Sequence, residues 1–258
     1  MKVVCFDLDM TLLDHHTGEI SRSTLHTIEL LRQTAKIVLA TGRNMRLADH
    51  AQYIELLQPD AIIHMNGTRV ETEGILLFEQ LLDPGHIQAI AAKAYEMKWC
   101  IGHTQDNIMY TTSRQTIIDR DMKRLGRCDR SFGELRDVLN DDFHSLTVWE
   151  DSESIDRMAA EFPMVSFNKF SEAFGADIVP LQISKATGMR YLLERWGYEF
   201  KDVISVGDSM NDYELIKQSG TGIAMGNADP VLKEAADLVT DDIGKDGIQK
   251  AFARLGIV

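Results

Sequence analysis

The sequence predicts an α/β protein: a doubly wound parallel-sheet core with an inserted α+β cap domain. Three observations lead to this prediction. Short apolar runs alternate with helical patterns at both ends of the chain, this alternation stops in the middle, and polar residues follow the apolar runs. Alternation of strand and helix is typical of a parallel sheet covered by helices, and such a sheet binds ligands at the carboxyl ends of its strands.

The strands of the predicted sheet are continuous apolar runs without the alternation of a half-exposed sheet. Such runs are typical of parallel strands that are buried on both faces. The runs are VVCF (3–6), KIVLA (36–40), AIIHM (61–65), VISV (203–206) and GIAM (222–225).

Helical patterns with recognisable ends accompany these runs. Ser21 and Ser184 are the predicted N-caps of two helices, and Gly197 is predicted to end the second. Asp229 followed by Pro230 predicts a third helix with proline at its first position. Strand and helix therefore alternate in these parts of the chain.

The middle of the chain, from about Asp83 to Pro180, has a different pattern. Its predicted strands come partly in adjacent pairs, WCIGHT with NIMYTT and MVSFNKF near FGADIVP. Short connections favour antiparallel pairing, which predicts an α+β insertion. We therefore expect a core made of 1–82 and 183–258 and a cap domain of 83–182.

Charge and composition argue against several classes of function. The formal net charge is −13 and no Lys/Arg run is present, so we expect no binding to nucleic acid or to an anionic membrane. No apolar stretch approaches the roughly 20 residues of a membrane span. The three cysteines are far apart and form no CxxC pair. This usage suits a reducing compartment, and we expect a cytoplasmic protein of undetermined oligomeric state.

Polar residues follow four of the predicted strands, at the edge where a parallel sheet binds its ligands. Lys185 lies at the start of the helix after the insertion, where the helix N-terminus already favours an anion. The residues that follow the strands are Asp7, Asp9 and Thr11, then Thr41, Gly42 and Arg43, then Asn66 and Gly67, and finally Asp208, Asn211 and Asp212.

The carboxylates in this set require a cation, because acids gathered at one sheet edge repel each other. Oxygen ligands with few protein donors suit Mg²⁺. A phosphoryl group would then give Mg²⁺, Lys185 and the Thr41 hydroxyl a negative partner. The residues alone therefore predict a site for Mg²⁺ and a phosphoryl group.

Four short motifs resemble those of the haloacid dehalogenase superfamily, in particular its Cof-type subfamily of phosphatases with a large α/β cap. HMNGT (64–68) and AMGNADPVLKEAADLVT (224–240) are also similar to sequences of the subfamily. Short motifs in the expected order, each on its expected strand or helix, are a far stronger signal than any one of them alone. The four motifs are DLDMTLLD (7–14), ATGR (40–43), SKATGMRYL (184–192) and GDSMNDYEL (207–215).

The resemblance implies a Rossmann-like core and an aspartyl-phosphate mechanism. Asp7 would be the nucleophile, and Asp9 would protonate the leaving alcohol and later deprotonate the attacking water. Thr41, the Gly42 N–H and Lys185 would stabilise the phosphoryl oxygens.

The resemblance also implies ligands for Mg²⁺ and for the substrate. The Asp7 carboxylate, the Asp9 carbonyl and the Asp208 carboxylate would bind Mg²⁺, and Asp212 would hold its waters. The residues expected to contact substrate are Gly42, Arg43, Asn66 and Asn211. Arg43 has the alternative of supporting its loop, and Asn66 that of positioning the nucleophile loop or of simply ending a strand.

One residue departs from the family pattern: Met10 stands where relatives usually have glycine. Glycine would allow an unusual backbone angle, so Met10 is expected to shift the loop and to be tolerated. His15 and His16 lie in a segment that forms a flap over the site in this family, and an exposed loop histidine is more often inert.

The function predicted from these residues is Mg²⁺-dependent hydrolysis of phosphate monoesters of small metabolites, with the cap as a lid. Two alternatives stay open. A phosphomutase would use the same intermediate but return the group to a sugar. A non-catalytic protein that binds a phosphorylated metabolite and acts as a regulator is suggested by Met10. The physiological ester is not readable from the sequence.

Overall fold

The computed structural model describes residues 2–170 and 174–257, except the side chains of Arg124 and Leu125. The chain folds into two compact units, which we call the core unit and the cap unit. The core unit comprises Met1–Met45, Ala51–Glu79 and Ile183–Val258, and the cap unit comprises Arg46–His50 and Gln80–Gln182. The domain limits expected from the sequence, 82/83 and 182/183, differ at the first boundary and in the placement of 46–50.

The strands and helices are numbered in chain order. The strands are β1 (Lys2–Phe6), β2 (Leu13–Asp14), β3 (Glu19–Ile20), β4 (Ala35–Ala40), β5 (Ala61–His64), β6 (Arg69–Thr72), β7 (Ile75–Glu79), β8 (Ile101–Gln105), β9 (Ile108–Thr111), β10 (Ser131–Glu134), β11 (Leu146–Val148), β12 (Val165–Lys169), β13 (Ala176–Pro180), β14 (Val203–Gly207), β15 (Thr221–Ala224) and β16 (Leu238–Val239). The helices are α1 (Arg22–Leu31), α2 (Ala51–Leu57), α3 (Pro84–Met97), α4 (Arg114–Leu125), α5 (Ser152–Glu161), α6 (Lys185–Trp196), α7 (Tyr213–Gln218), α8 (Pro230–Ala235) and α9 (Gly247–Arg254). In the described part of the chain, no helix is both long and apolar enough to cross a membrane.

The core unit is built on one sheet with the strand order β16-β15-β14-β1-β4-β5-β6-β7. The strands from β16 to β5 are parallel, and the five strands predicted from apolar runs are confirmed among them. β6 and β7 extend the sheet as an antiparallel hairpin that the sequence did not predict. Its turn places Glu73 and Gly74 at φ 52° and 75°, which is the backbone of a tight two-residue hairpin turn.

Both faces of the core sheet are buried, as the continuous apolar runs predicted. In β1, Val4 and Phe6 belong to one apolar cluster, which includes residues of α1, α8 and α9. Val3 and Cys5 belong to the cluster on the other face, with residues of α6 and α7. Helices on both faces leave the carboxyl ends of the strands as the edge that can carry polar residues.

The cap unit contains a mixed sheet with the order β10-β9-β8-β11-β13-β12. The predicted antiparallel pairs β8/β9 and β12/β13 are confirmed. Strand β10 was not predicted, and it pairs with β9 in parallel. Helices α3 and α5 contribute to the larger apolar cluster of this unit, and α4 contributes Ile117 to a smaller one.

The predicted N-cap and C-terminal glycine of α6 are confirmed. The Ser184 hydroxyl accepts a hydrogen bond from the Thr187 N–H, the Thr187 hydroxyl lies 2.9 Å from the Ser184 N–H, and Gly197 ends the helix with φ 73°. Ser21 accepts a hydrogen bond from the Thr24 N–H at the start of α1, and Asp229 accepts one from the Val231 N–H at the start of α8. Ser184 therefore fixes the residue at which α6 begins, which is Lys185.

We predict that Ser184→Ala lowers the free energy of unfolding by about 1 kcal/mol, because the α6 N-terminus loses the acceptor for its Thr187 N–H. Urea unfolding followed by circular dichroism measures this change. Ser184→Thr keeps a capping hydroxyl and is the matched control. Equal stability of the alanine and threonine variants would contradict the role of the cap.

Candidate active site

The centre of the polar edge is a buried lysine between two carboxylates. Lys185 Nζ lies 2.6 Å from Asp7 Oδ1 and 2.7 Å from Asp212 Oδ1. All three side chains are almost completely inaccessible to solvent. The three residues come from positions far apart in the chain, namely the end of β1, the start of α6 and the turn after β14. The ion pairs therefore join three elements of the core unit at one point.

A third buried carboxylate, Asp208, lies next to this group. Oxygens of Asp7, Asp208 and Asp212 lie within 4.8 Å of one another, which is close enough to bind one metal ion. The Thr11 hydroxyl donates a hydrogen bond to Asp208 at 3.2 Å. Among the described residues, Lys185 is the cation that contacts this cluster. The cluster therefore carries more negative than positive charge.

The excess of negative charge is reflected in the pKa values. Burial, together with the neighbouring Asp212 and Asp9, raises the pKa of Asp7 to about 7, because Lys185 opposes the change only in part. Burial and the neighbouring Asp7 and Asp212 also raise the pKa of Asp208 well above its usual range. A divalent cation bound by these oxygens would lower both values, because a positive charge favours the ionised carboxylate. The donor set fits a hard cation such as Mg²⁺.

The backbone after β14 brings Asp212 into the cluster. The Asp212 Oδ2 atom accepts hydrogen bonds from the Asp208 and Ser209 N–H groups at 3.1 and 3.2 Å. Gly207 ends β14, and a Cβ atom at this position would lie 2.4 Å from Asp212 Cγ. Only glycine fits there without moving the carboxylate, which explains why the motif begins with glycine.

A strained turn after β5 lies against the start of α6. Met65, Asn66 and Gly67 have φ values of 45°, 59° and 107°. A Cβ atom on Gly67 would lie 2.1 Å from the Ser184 carbonyl oxygen, so only glycine allows the turn to approach α6 this closely. Asn66 Oδ1 accepts a hydrogen bond from Asn211 Nδ2 at 2.9 Å. The turn thus connects the N-terminus of α6 to the loop after β14.

The side chain of Asp9 contacts Arg43 and His15. Arg43 donates two hydrogen bonds to the carboxylate, at 2.8 Å from Nε and 2.5 Å from the terminal nitrogen. His15 Nε2 lies 2.6 Å from Asp9 Oδ1. Burial raises the pKa of Asp9, but the His15 hydrogen bond and the Arg43 charge outweigh it and lower the value below the usual range. Asp7 and Asp9 therefore occupy opposite electrostatic environments.

Met10 has the backbone conformation expected of the glycine that it replaces. Its φ is 60°, and its side chain is 6% exposed. The loop is therefore kept in the left-handed conformation, contrary to the expected shift. A left-handed residue other than glycine costs roughly 1–2 kcal/mol, and burial of an apolar side chain offsets a cost of this size.

The remaining predicted residues occupy the same edge of the core sheet. Thr41 is buried directly after β4, and its hydroxyl oxygen accepts a hydrogen bond from the Arg43 N–H at 3.1 Å. The Thr41 carbonyl accepts from the Asn66 N–H at 3.0 Å. Gly42 lies between Thr41 and Arg43 and is partly exposed.

Two residues that contact the first motif were not predicted as site residues from the sequence. His15 contacts Asp9, and its place in a loop gave no signal of this contact. Asn227, within the AMGNADP segment, donates a hydrogen bond to the Met10 carbonyl at 2.8 Å. No spacing in the sequence relates position 227 to position 10, so only the fold reveals this pair.

The chain is similar to known proteins in sequence and in fold. A family model described as haloacid dehalogenase-like hydrolase matches residues 4–252. The putative phosphatase YkrA of Bacillus subtilis is 31% identical over 263 residues, covering 100% of this chain and 98% of the relative. An HMP-PP phosphatase of Citrobacter koseri is 27% identical over 243 residues, covering 90% and 86%. A sugar phosphatase of haloacid dehalogenase subclass IIB has a similar fold, with a TM-score of 0.89, 23% identity and coverage of 100% of both chains.

The raised pKa of Asp7 predicts a stabilising substitution. A carboxyl group whose pKa is raised by folding contributes stability below its unfolded pKa, 3.8, and this stability is lost as the pH rises through about 7. In EDTA at about pH 8, Asp7→Asn should therefore raise the melting temperature by at least about 2 °C. The gain should shrink as the pH falls to about 5, where Asp7 of the wild type is already protonated.

The matched control is Asp212→Asn. Asp212 accepts from Lys185 and from two backbone N–H groups, and an amide can replace only one of its two oxygens as an acceptor. This variant should be less stable than the wild type. Thermal melts of the three proteins across the pH range measure both effects, and a destabilised Asp7→Asn at about pH 8 would contradict the charge imbalance.

Proposed function

The chain belongs to the haloacid dehalogenase-like hydrolases and is a phosphatase, and from this premise we propose that it hydrolyses phosphate monoesters of small metabolites, such as sugar phosphates, through an Mg²⁺-dependent aspartyl-phosphate mechanism. The observation that carries the proposal is the buried cluster of Asp7, Asp208 and Asp212 around Lys185. A buried group with excess negative charge is costly to stability and is expected where it serves binding or catalysis.

Asp7 is the proposed nucleophile. It follows β1 directly, its N–H donates to the Val206 carbonyl at 3.0 Å, and Lys185 holds one of its oxygens. These contacts fix the carboxylate before substrate binds. Attack on phosphorus would form the aspartyl-phosphate and release the alcohol, and water would then cleave the intermediate to phosphate and regenerate Asp7.

The phosphoryl oxygens are assigned to Lys185, the Thr41 hydroxyl and the Gly42 N–H. Lys185 remains protonated because the neighbouring carboxylates raise its pKa in spite of burial. A fixed ammonium group and fixed hydrogen-bond donors stabilise charge that develops in the transition state. Asn66 and Asn211 are proposed to contact substrate, and their mutual hydrogen bond supports a shared position at this edge.

The proposed ligands of Mg²⁺ are the Asp7 and Asp208 carboxylates and the Asp9 carbonyl, with Asp212 holding its waters. The proximity of the three carboxylates and their excess of negative charge support this assignment. When bound, Mg²⁺ would neutralise negative charge on the carboxylates and on the phosphoryl oxygens.

Asp9 is the proposed acid and base. It must protonate the leaving alcohol, yet Arg43 and His15 favour its ionised form. Arg43 is also proposed to contact the phosphoryl group, and a guanidinium that turns towards phosphate no longer holds both Asp9 oxygens. Asp9 would then be able to carry the proton that it donates to the leaving alcohol, and the ionised Asp9 left by this transfer would accept the proton of the attacking water.

The proposal predicts phosphate release from p-nitrophenyl phosphate and from a panel of hexose and pentose phosphates. Release should require Mg²⁺ and stop in EDTA. Asp7→Asn should lower kcat by at least about a thousandfold, because the nucleophile is lost. A malachite green assay measures the released phosphate.

The same Asp7→Asn protein is expected to be at least as stable as the wild type without metal, so its inactivity cannot be attributed to unfolding. An isomeric sugar phosphate in place of free phosphate would instead identify a mutase. Binding of the esters without turnover would contradict the proposed hydrolysis.

A further inference from the structure

We infer that Asn227 is a positioning residue that holds Met10 in its left-handed conformation and thereby orients the loop carrying Asp7 and Asp9. The inference rests on the proposed function of that loop. Met10 is a residue that favours other backbone conformations, whereas glycine would adopt a φ of 60° readily. Burial of the Met10 side chain offsets part of this cost, and a hydrogen bond from outside the loop would hold the conformation further.

The contacts of Asn227 supply this restraint. Its Nδ2 atom donates to the Met10 carbonyl at 2.8 Å, and its Oδ1 atom accepts from the Ile243 N–H at 2.9 Å. The two contacts need a donor on one side and an acceptor on the other, which only one orientation of the amide provides. The side chain is partly buried, so water competes little for these groups.

The backbone around Asn227 is itself fixed to the active-site edge. The Met225 N–H donates to the Gly207 carbonyl at 3.0 Å, and the Asp229 N–H donates to the Asp208 carbonyl at 2.8 Å. Asn227 therefore lies in a segment that is bonded to the loop carrying Asp208. Through its amide, the same segment is bonded to the loop carrying Asp7 and Asp9.

The angle φ of Met10 sets the relation between two successive peptide groups. The Met10 N–H, in the peptide that includes the Asp9 carbonyl, donates to the Leu13 carbonyl at 2.9 Å. The Met10 carbonyl, in the next peptide, accepts from Asn227. Loss of the second contact lets φ relax towards negative values, and this rotation turns the Asp9 carbonyl away from its proposed metal-binding direction and moves Thr11 relative to Asp208.

A double-mutant cycle tests the inference with Asn227→Asp and Met10→Gly. Asn227→Asp keeps an oxygen that accepts from the Ile243 N–H but removes the donor to Met10. It should weaken Mg²⁺ binding about ten- to a hundredfold, as loss of an outer contact to a metal ligand typically does. It should lower kcat by a similar factor with KM changed by less than about threefold. In the Met10→Gly background the same substitution should weaken Mg²⁺ binding by less than about threefold, because glycine adopts the angle unaided.

Isothermal titration calorimetry with Mg²⁺ measures the affinity of all four proteins without turnover. Asn140→Asp, at an exposed position, controls for the added negative charge, and Asn227→Ala removes the donor without adding charge. Equal losses in the wild-type and Met10→Gly backgrounds, or unchanged Mg²⁺ affinity in both Asn227 variants, would overturn the inference. A wild type that binds Mg²⁺ but releases no phosphate would contradict the proposed hydrolysis and leave the calorimetric cycle valid.

Discussion

The structure of this edge depends on one buried ammonium group shared by two carboxylates. Lys185 holds Asp7 and Asp212 at 2.6 and 2.7 Å, and no solvent reaches its side chain. Each partner alone would be a costly buried charge, and removing Lys185 would leave both carboxylates uncompensated. Because the three residues lie directly after β1, at the start of α6 and in the turn after β14, the ion pairs also fix the relative positions of these elements.

Close packing of the backbone makes this arrangement possible. Asp212 reaches the cluster only because Gly207 has no side chain, and α6 reaches it only because Gly67 has none. A sheet with helices on both faces explains why the polar residues lie at the strand ends, and the glycines explain how they approach each other closely. Burial of the apolar faces of the sheet stabilises the folded state, and this stabilisation offsets the free-energy cost of the buried charges and the strained turn.

Much of the fold could be predicted from the sequence, because continuous apolar runs and helix caps are local signals. The parallel strands and the start of α6 at Lys185 are examples. The hairpin β6/β7 was missed although its second strand contains the apolar run ILLF (75–78), as long as VVCF, and Glu73-Gly74 forms its turn. The motifs predicted that the carboxylates and Lys185 lie at one edge of the sheet. The pairing of Asp9 with Arg43 and His15 was not predicted, because it depends on side-chain directions beyond the end of a strand, where the two-residue alternation of a strand no longer holds. The contact of Asn227 with Met10 depends on tertiary packing alone.

The two carboxylates of the first motif, Asp7 and Asp9, have pKa values that the fold shifts in opposite directions. Burial and neighbouring carboxylates raise the pKa of Asp7, whereas His15 and Arg43 lower that of Asp9, which is the reverse of what the proposed chemistry needs from a nucleophile and an acid. Both requirements are electrostatic. A cation beside Asp7 would favour its ionised form, and a phosphoryl group that attracted Arg43 would remove one of the two contacts that keep Asp9 ionised, the other being His15. In the proposed mechanism, metal and phosphate ester together would therefore oppose both shifts and favour the reactive charge states.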